Sequence, residues 1–263
     1  LHRVDRRQRQ MCIRDRPGIR TKNWRRFYNS VIDSFSDSFE IIIVSPYDLP
    51  DDLKSLDNIK IIKDYGSPSR CQQIGLVHCE GEFVTWGADD GWFLNNSLDE
   101  ALGFWANNAT SDKDIVTCKY TEGPDYTPDM LQDFYYKINY AAGLRPCFVP
   151  NDYWVLNVGI LKTDYAKQIG GWDSIFEVTT LSHMDFAVRT QRDGAKYFMM
   201  EHPIFVCDHM PGTTGDHGPV HYAHIEHAEP LFRRIYNSSS SLERIKIDLN
   251  NWEDTPSIWK RRF

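Results

Sequence analysis

Two adjacent carboxylates, Asp89 and Asp90, are the residues of this sequence whose types and spacing most directly suggest chemistry. They stand in the string Trp86-Gly87-Ala88-Asp89-Asp90-Gly91, directly after an apolar run. A run rich in Phe, Val, Thr and Trp predicts a buried strand, and residues at its end are held rigidly beside a crevice. Because hard divalent cations prefer carboxylate oxygens, the pair predicts a metal site with positions open for a substrate phosphate. A solvated turn is the alternative, since Asp and Gly are common turn residues.

The elements that would position this pair alternate between helix and strand, which predicts an α/β domain. The run Phe39 to Val44 holds consecutive Ile and Val residues and predicts a strand buried on both faces, as in a parallel sheet. Ser67 and Pro68 are a typical cap and first residue of a helix. The predicted helices are 23–34, 67–79, 97–107, 130–142, 163–169 and 181–193, and the predicted strands are 39–44, 59–63, 83–86, 114–120, 154–161, 196–200 and 204–208.

Composition limits the classes of function. With 263 residues, 41% of them hydrophobic, the chain can bury one large core or two small ones. A net charge of -7 argues against a nonspecific nucleic-acid binder. No apolar run approaches the ~20 residues of a membrane helix, so we expect a cytoplasmic protein, with peripheral membrane association left open. The six cysteines form no CxxC pair and predict buried thiols rather than disulfides or a zinc site.

The first 17 residues differ from the rest. They carry six arginines and no hydrophobic period, and a signal peptide would need an apolar stretch. We expect a non-native segment outside the fold, with a basic targeting or nucleic-acid arm as the alternative. The predicted domain is therefore 18–236, lacking its first strand, and 237–263 is predicted to be a C-terminal tail that begins with a serine run.

Three segments, in order, resemble the family 2 glycosyltransferases of GT-A fold, which transfer a sugar from a nucleotide-diphosphate donor. The first is 66–90, where Gln73-Ile74-Gly75 and Cys79-Glu80-Gly81 precede the strand and the acidic pair, in place of the family's Asn-x-Gly and Ala-x-Gly. The second is Gly170-Gly171-Trp172-Asp173. The third is Asp185 in His183-Met184-Asp185-Phe186, where Met184 replaces the family's usual Glu.

The resemblance implies a mixed, mostly parallel, Rossmann-like sheet flanked by helices. It also implies that Asp89 and Asp90 hold Mn²⁺ or Mg²⁺ against the donor diphosphate, which neutralises the leaving phosphate. Asp185 would remove the proton of the acceptor hydroxyl. A single base opposite the leaving group predicts inversion at the anomeric carbon.

Further site residues are expected from the same resemblance. His209 is a candidate metal ligand, and its use would favour manganese. Four later histidines could instead form a separate metal site, although steps of three align only partly on a helix. The donor would be bound by Ser45, Tyr47, Arg70 and Asp89, and the acceptor by Trp172 and Asp173. The alternative for Arg70 is a solvated charge on a helix face, and for both acceptor residues it is a structural role.

We therefore expect an inverting, metal-dependent glycosyltransferase of glycan or polysaccharide synthesis. Its partners would be a UDP- or GDP-sugar and a glycan or lipid-linked acceptor, and not nucleic acid. A nucleotidyltransferase is one alternative, although its basic, glycine-rich signature is not seen. A catalytically inactive glycan-binding or scaffold domain is the other, favoured by the residues at Ser45, Gln73 and Met184.

Overall fold

A computed structural model describes residues 11–15, 18–122, 145–146, 153–155, 157–208, 217–237 and 243–253. The strands are β1 Met11–Asp15, β2 Phe39–Ser45, β3 Ile59–Lys63, β4 Phe83–Gly87, β5 Gly91–Phe93, β6 Ile115–Glu122, β7 Arg145–Pro146, β8 Trp154–Val155, β9 Val158–Lys162 and β10 Tyr197–Cys207. The helices are α1 Trp24–Ser34, α2 Pro68–Val77, α3 Ser97–Asn108, α4 Thr163–Gln168, α5 Thr179–Arg192, α6 Gly218–Ala223 and α7 Glu229–Tyr236, with a 3-10 turn at Thr21–Asn23 and a π-helical turn at His224–Ala228. The predicted helix 130–142 and His209 lie outside the described residues.

The central sheet has eight strands in the order β3-β2-β1-β4-β9-β6-β10-β5. Strands β3, β2, β1 and β4 are parallel to one another, and β6 is parallel to β10. Strand β9 is antiparallel to both β4 and β6, and β5 is antiparallel to β10. This mixed, mostly parallel sheet, flanked by helices, confirms the predicted GT-A fold.

Strand β1 corrects the prediction for the N-terminal segment. Residues Met11–Asp15 pair with β2 on one side and β4 on the other, so the first strand is present and central. Met11, Cys12, Ile13 and Arg14 are all completely buried. The strand was not predicted because arginines surround this short run. Its side chains nevertheless pack on the two faces of the sheet.

Each face of the sheet packs against its own set of helices. Ile41 and Ile43 of β2 face a cluster that contains Phe27 and Val31 of α1. Ile42 and Val44 face the opposite cluster, where α2 and α5 pack. This alternation confirms that β2 is buried on both faces, as a parallel strand between two others should be. Ser67 caps α2 by accepting a hydrogen bond from the Arg70 amide at 3.2 Å, with Pro68 in the first turn.

Three predicted strands differ in detail from those observed. The predicted strand 154–161 is divided into β8 and β9. The two predicted strands 196–200 and 204–208 are one, β10, whose register shifts around Pro203 because proline lacks the N–H that a ladder needs. The short edge strand β5 was not predicted, since three residues are too few for a periodic pattern.

A disulfide joins Cys12 of β1 to Cys79 just after α2, with Cα atoms 5.7 Å apart. The prediction of thiols throughout is therefore wrong for this pair, whereas Cys71, Cys118 and Cys207 are thiols. Cys147 lies outside the described residues. The pairing escaped prediction because it depends on β1 entering the sheet beside β4.

The segment 243–253, here called the C-terminal strap, packs on the domain. Ile245, Leu249 and Trp252 contact the core beside α2 and α5, and the Ile247 amide donates to the Ile169 carbonyl at 3.3 Å. The prediction that the domain ends at residue 236 is wrong for the strap. In the part of the chain that the structure describes, no helix has the length and apolar character to cross a bilayer.

Candidate functional site

The acidic pair lies where β4 ends, beside the loop that follows β1. Asp89 Oδ2 accepts the backbone amides of Ile19 at 2.7 Å and Arg20 at 2.5 Å, and the Trp24 indole N–H at 3.4 Å. Its Oδ1 accepts Arg20 Nη1 at 2.7 Å. Only 1% of Asp89 is exposed. Asp89 therefore fastens the loop after β1 to the end of β4.

Asp90 is the more open member of the pair. Its side chain is 14% exposed, and its Oδ2 lies 3.4 Å from Arg20 Nη1 and 3.8 Å from His217 Nε2. The Asp90 carbonyl accepts the Asp208 amide at 2.6 Å, which ties it to the end of β10. Asp90, Arg20 and His217 thus share one polar crevice.

The neighbouring chain must approach this crevice closely. A Cβ at Gly91 would lie 2.4 Å from both the Val206 carbonyl oxygen and the Phe205 ring. Arg26 closes the outer side by pairing with Asp208 at 2.7 Å and lying over the Trp92 ring. Because Gly91 has no side chain, β5 can pair closely with β10 next to the acidic pair.

The predicted donor residues are divided between this crevice and the chain around it. Ser45 is buried, donates its hydroxyl to the Gly18 carbonyl and accepts the Tyr47 amide at 3.0 Å. It thereby joins the ends of β1 and β2. Tyr47 is 45% exposed beside the same strand ends.

Arg70 is held by protein groups. Its Nε lies 3.1 Å from both carboxylate oxygens of Asp64, which follows β3, and Nη1 donates to the Trp252 carbonyl of the strap. The Arg70 guanidinium also lies 5.2 Å from the centroid of the Trp252 ring. In this arrangement Arg70 joins the end of β3 to the strap, and with its side chain only 17% exposed it is not the solvated helix-face charge that was the alternative to donor binding.

Trp172 lies in the core and not at a sugar-binding surface. Its ring is fully buried and stacks on Phe186 with centroids 4.4 Å apart. Trp86 meets its edge at 5.1 Å, and the Arg14 guanidinium lies 4.1 Å from its centroid. The prediction of acceptor stacking by Trp172 is wrong for this arrangement, because no face of the ring is accessible.

Asp173 is also occupied by protein donors. Its Oδ1 accepts the Ile175 amide at 3.1 Å and Asn251 Nδ2 at 2.8 Å, and its Oδ2 pairs with Arg244. Both Asn251 and Arg244 belong to the strap. The acceptor role predicted for Asp173 is not available while the strap covers it.

Asp185 on α5 is completely buried in a cluster of charges. Arg189 Nε lies 2.7 Å from Oδ2, and Tyr236 Oη and Arg244 Nε each lie 2.7 Å from Oδ1. A general base must reach the proton that it removes. Asp185 is therefore closed off from an acceptor hydroxyl in this arrangement, contrary to its predicted role as base.

The two strap-bound carboxylates have opposite pKa shifts. Burial would raise the pKa of Asp185, but the charges of Arg189 and Arg244 outweigh it and hold this pKa below its usual range. Burial and the nearby charge of Asp185 raise the pKa of Asp173, and Arg244 opposes that rise. At the acidic pair, burial likewise raises the pKa of Asp89 against the opposing charge of Arg20.

The described residues give the predicted metal site no set of three ligands. They contain no group of three or more His, Cys, Asp or Glu side chains able to hold a metal, which also speaks against a separate site at His217, His221, His224 and His227. The oxygens of Asp89 already accept four donors. His209, the other predicted ligand, lies outside the described residues.

Sequence reasoning missed the partners that decide how these carboxylates behave. Arg20 and His217 reach the acidic pair, and Arg244 bridges Asp173 and Asp185. An arginine just ahead of a predicted helix and a histidine 127 positions beyond Asp90 give no local signal. Arg244, a basic residue in a polar C-terminal region, is the sequence feature that could have indicated a charge partner for the buried carboxylates.

The sheet order and the crevice define a GT-A-like α/β protein whose strand order reverses between β1 and β4. Among solved structures, the chain is similar to S. aureus TarS 1-349, with 14% identity and a TM-score of 0.57 over 95% of this chain and 72% of that one. It is similar to the same protein in complex with UDP-GlcNAc, with 16% identity and a TM-score of 0.59 over 95% and 73% of the two chains. The complex with UDP gives 14% identity and 0.56 over 90% and 69%.

These identities show a shared fold. No protein-family model matches the chain, and no curated protein matches it.

Proposed function

We propose that this chain binds a nucleotide-diphosphate sugar and transfers its sugar to a hydroxyl acceptor. The observation that carries the proposal is the place of the crevice. In open α/β sheets, ligands bind outside the carboxyl ends of the strands where the strand order reverses. Here that point lies between β1 and β4, and it holds Arg20, Asp89 and Asp90.

The choice of nucleotide is supported by the fold likeness. TarS, which this chain resembles over most of its length, was solved in complex with UDP and with UDP-GlcNAc. We therefore propose a UDP-sugar as the first donor to test, with a GDP-sugar next. The finer parts of the proposal are inversion at the anomeric carbon, a glycan or lipid-linked acceptor, and work at a membrane face.

A nucleotide-sugar-binding module without turnover is the second candidate. A specific observation favours it: Asp173 and Asp185, the carboxylates expected on the acceptor side, are both covered by the strap. Transfer would then require the strap to move away or a different group to act as base. Binding alone requires neither.

One experiment separates the candidates. Thermal unfolding of the full chain is followed with UDP, UDP-GlcNAc, other UDP-sugars and GDP-sugars, each with Mn²⁺, with Mg²⁺ and with EDTA. A ligand at one hundred times its Kd should stabilise the fold by about 2.7 kcal/mol. Release of UDP from the bound donor is then measured with and without added glycan acceptors.

Each result has a distinct meaning. Donor binding with acceptor-dependent UDP release supports the transferase, and NMR of the product anomer tests inversion. Donor binding without release supports the binding module. If no nucleotide stabilises the chain under any condition, both candidates are wrong.

A further inference from the structure

A guanidinium group occupies the centre of the acidic pair. Arg20 Nη1 lies 2.7 Å from Asp89 Oδ1 and 3.4 Å from Asp90 Oδ2. One nitrogen therefore bridges two carboxylates, as a bound cation would. The side chains of Arg20, Asp89 and Asp90 are only 12%, 2% and 14% exposed, so solvent screens this interaction weakly.

The position of Arg20 is fixed by the backbone around it. The amides of Ile19 and Arg20 both donate to Asp89 Oδ2, and Asn23 Nδ2 donates to the Asp89 carbonyl at 2.8 Å. For Asp89 to ligate a metal, it would have to release buried backbone donors, which is costly. Asp89 is thus a positioning residue for Arg20.

We propose that Arg20 is the resident cation of this crevice and contacts the donor diphosphate, so that nucleotide binding needs no divalent metal. The inference rests on the proposed function, and it identifies Arg20 as the group that neutralises the charge of the donor diphosphate. Arginine suits this task because its planar guanidinium presents five N–H donors that match phosphate oxygens. Hydrogen bonds from a charged donor to phosphate are among the stronger ones.

The charges around Arg20 also bear on whether a metal could bind here. Asp89 offsets the charge of Arg20 in the free protein, while Asp90 and His217 lie at the more open side. A divalent ion at Asp90 would stand within a few ångströms of the Arg20 guanidinium and be repelled by it. Arg20 and a metal therefore compete for the same carboxylate.

The test is calorimetric titration of UDP into the full chain in EDTA, in Mn²⁺ and in Mg²⁺. The wild-type protein should bind UDP in EDTA with a Kd within roughly threefold of that in Mn²⁺, a difference well under ~1.4 kcal/mol, since Arg20 is in place without metal. Arg20→Gln keeps N–H donors but removes the charge, and it should weaken UDP binding in EDTA by roughly tenfold or more. Arg20→Lys should retain part of the affinity.

A second readout tests the competition directly. Mn²⁺ binding in the absence of nucleotide, measured by electron paramagnetic resonance, should strengthen in Arg20→Gln because Asp90 is released. Arg25→Gln is the matched control: it removes a guanidinium of α1 that pairs with Asp52 instead, and it should change neither titration. Thermal unfolding confirms that each variant is folded.

Three results would overturn the inference. One is UDP binding by the wild type that disappears in EDTA and returns with Mn²⁺, which needs no variant to interpret. Another is Arg20→Gln binding UDP as the wild type does. The third is no nucleotide binding in any buffer, which overturns the proposed function as well and so is distinguishable from the first two.

Discussion

At the scale of single residues, the carboxylates expected to do chemistry are mostly occupied in holding the chain together. Asp89 anchors a loop, Asp173 anchors the strap, and Asp185 is the centre of a buried ionic cluster. Their oxygens accept hydrogen bonds from donors that lie far away in sequence. Asp90 is more accessible than these three, with its side chain 14% exposed beside Arg20 and His217.

We expect Asp185→Asn to destabilise the fold by about 3–5 kcal/mol, because it leaves the fully buried Arg189 without its charge partner. The control is Asp112→Asn, which changes an exposed carboxylate. Free energies of unfolding from urea titrations measure the difference. Equal stability of the two variants at pH 7 would contradict the cluster's structural role.

The same pair of variants has a pH signature. Because the native pKa of Asp185 is lowered, its stabilisation is present above the unfolded-state pKa of about 3.9. It is lost as the pH falls through the native value. Stability of the wild type and of Asp112→Asn should therefore fall more steeply below about pH 4 than that of Asp185→Asn.

At the scale of elements, some helices and strands are specified by local sequence pattern, whereas others are specified by contacts with distant parts of the chain. The strand Ile59–Lys63 and the helix capped by Ser67 were predicted within two residues of their observed ends, because their period, cap and flanking turns are all local. Strand β1 and the strap were not predicted. Each has a polar or arginine-rich sequence, and each is ordered by partners that are distant along the chain.

The strap is expected to depend on Arg244. Arg244→Met keeps a long apolar stem but removes the ion pairs with Asp173 and Asp185. Amide exchange of Ile247, which donates to Ile169, should become faster by roughly tenfold or more, equivalent to ~1.4 kcal/mol. Arg234→Met on the exposed side of α7 is the control and should leave this amide protected. Unchanged exchange in Arg244→Met would show that apolar packing alone holds the strap.

At the scale of the whole molecule, the sequence predicted the fold better than the site. Alternating helices and strands predicted an α/β domain, and the resemblance to the GT-A fold implied the mixed, mostly parallel sheet. The site depends on which side chains come together at the strand ends. Their positions follow from the paths of the loops, which no periodic sequence pattern predicts. The pairing of Arg20 with both Asp89 and Asp90 is an example of side chains that a loop brings together at strand ends.

The Cys12–Cys79 disulfide should contribute to global stability. It closes a loop with a sequence separation of 67, for which the loop-entropy model gives about 4 kcal/mol. Unfolding of the wild type should shift to lower urea concentration under reducing conditions, whereas Cys12→Ala/Cys79→Ala should unfold at the same concentration with or without reductant. Thiol titration in denaturant should find two more thiols after reduction. Coincident wild-type curves in both conditions would contradict a stabilising bond.

The central place of β1 also sets an order of events during synthesis. Residues Met11–Asp15 are the first of the described strands to leave the ribosome, yet one of their edges pairs only with β4 at Phe83–Gly87. Parallel pairing between distant segments forms slowly and exposes unpaired strand edges meanwhile. The nascent chain must therefore carry one edge of this strand unpaired until β4 emerges, and for that interval the edge is open to pairing with other chains.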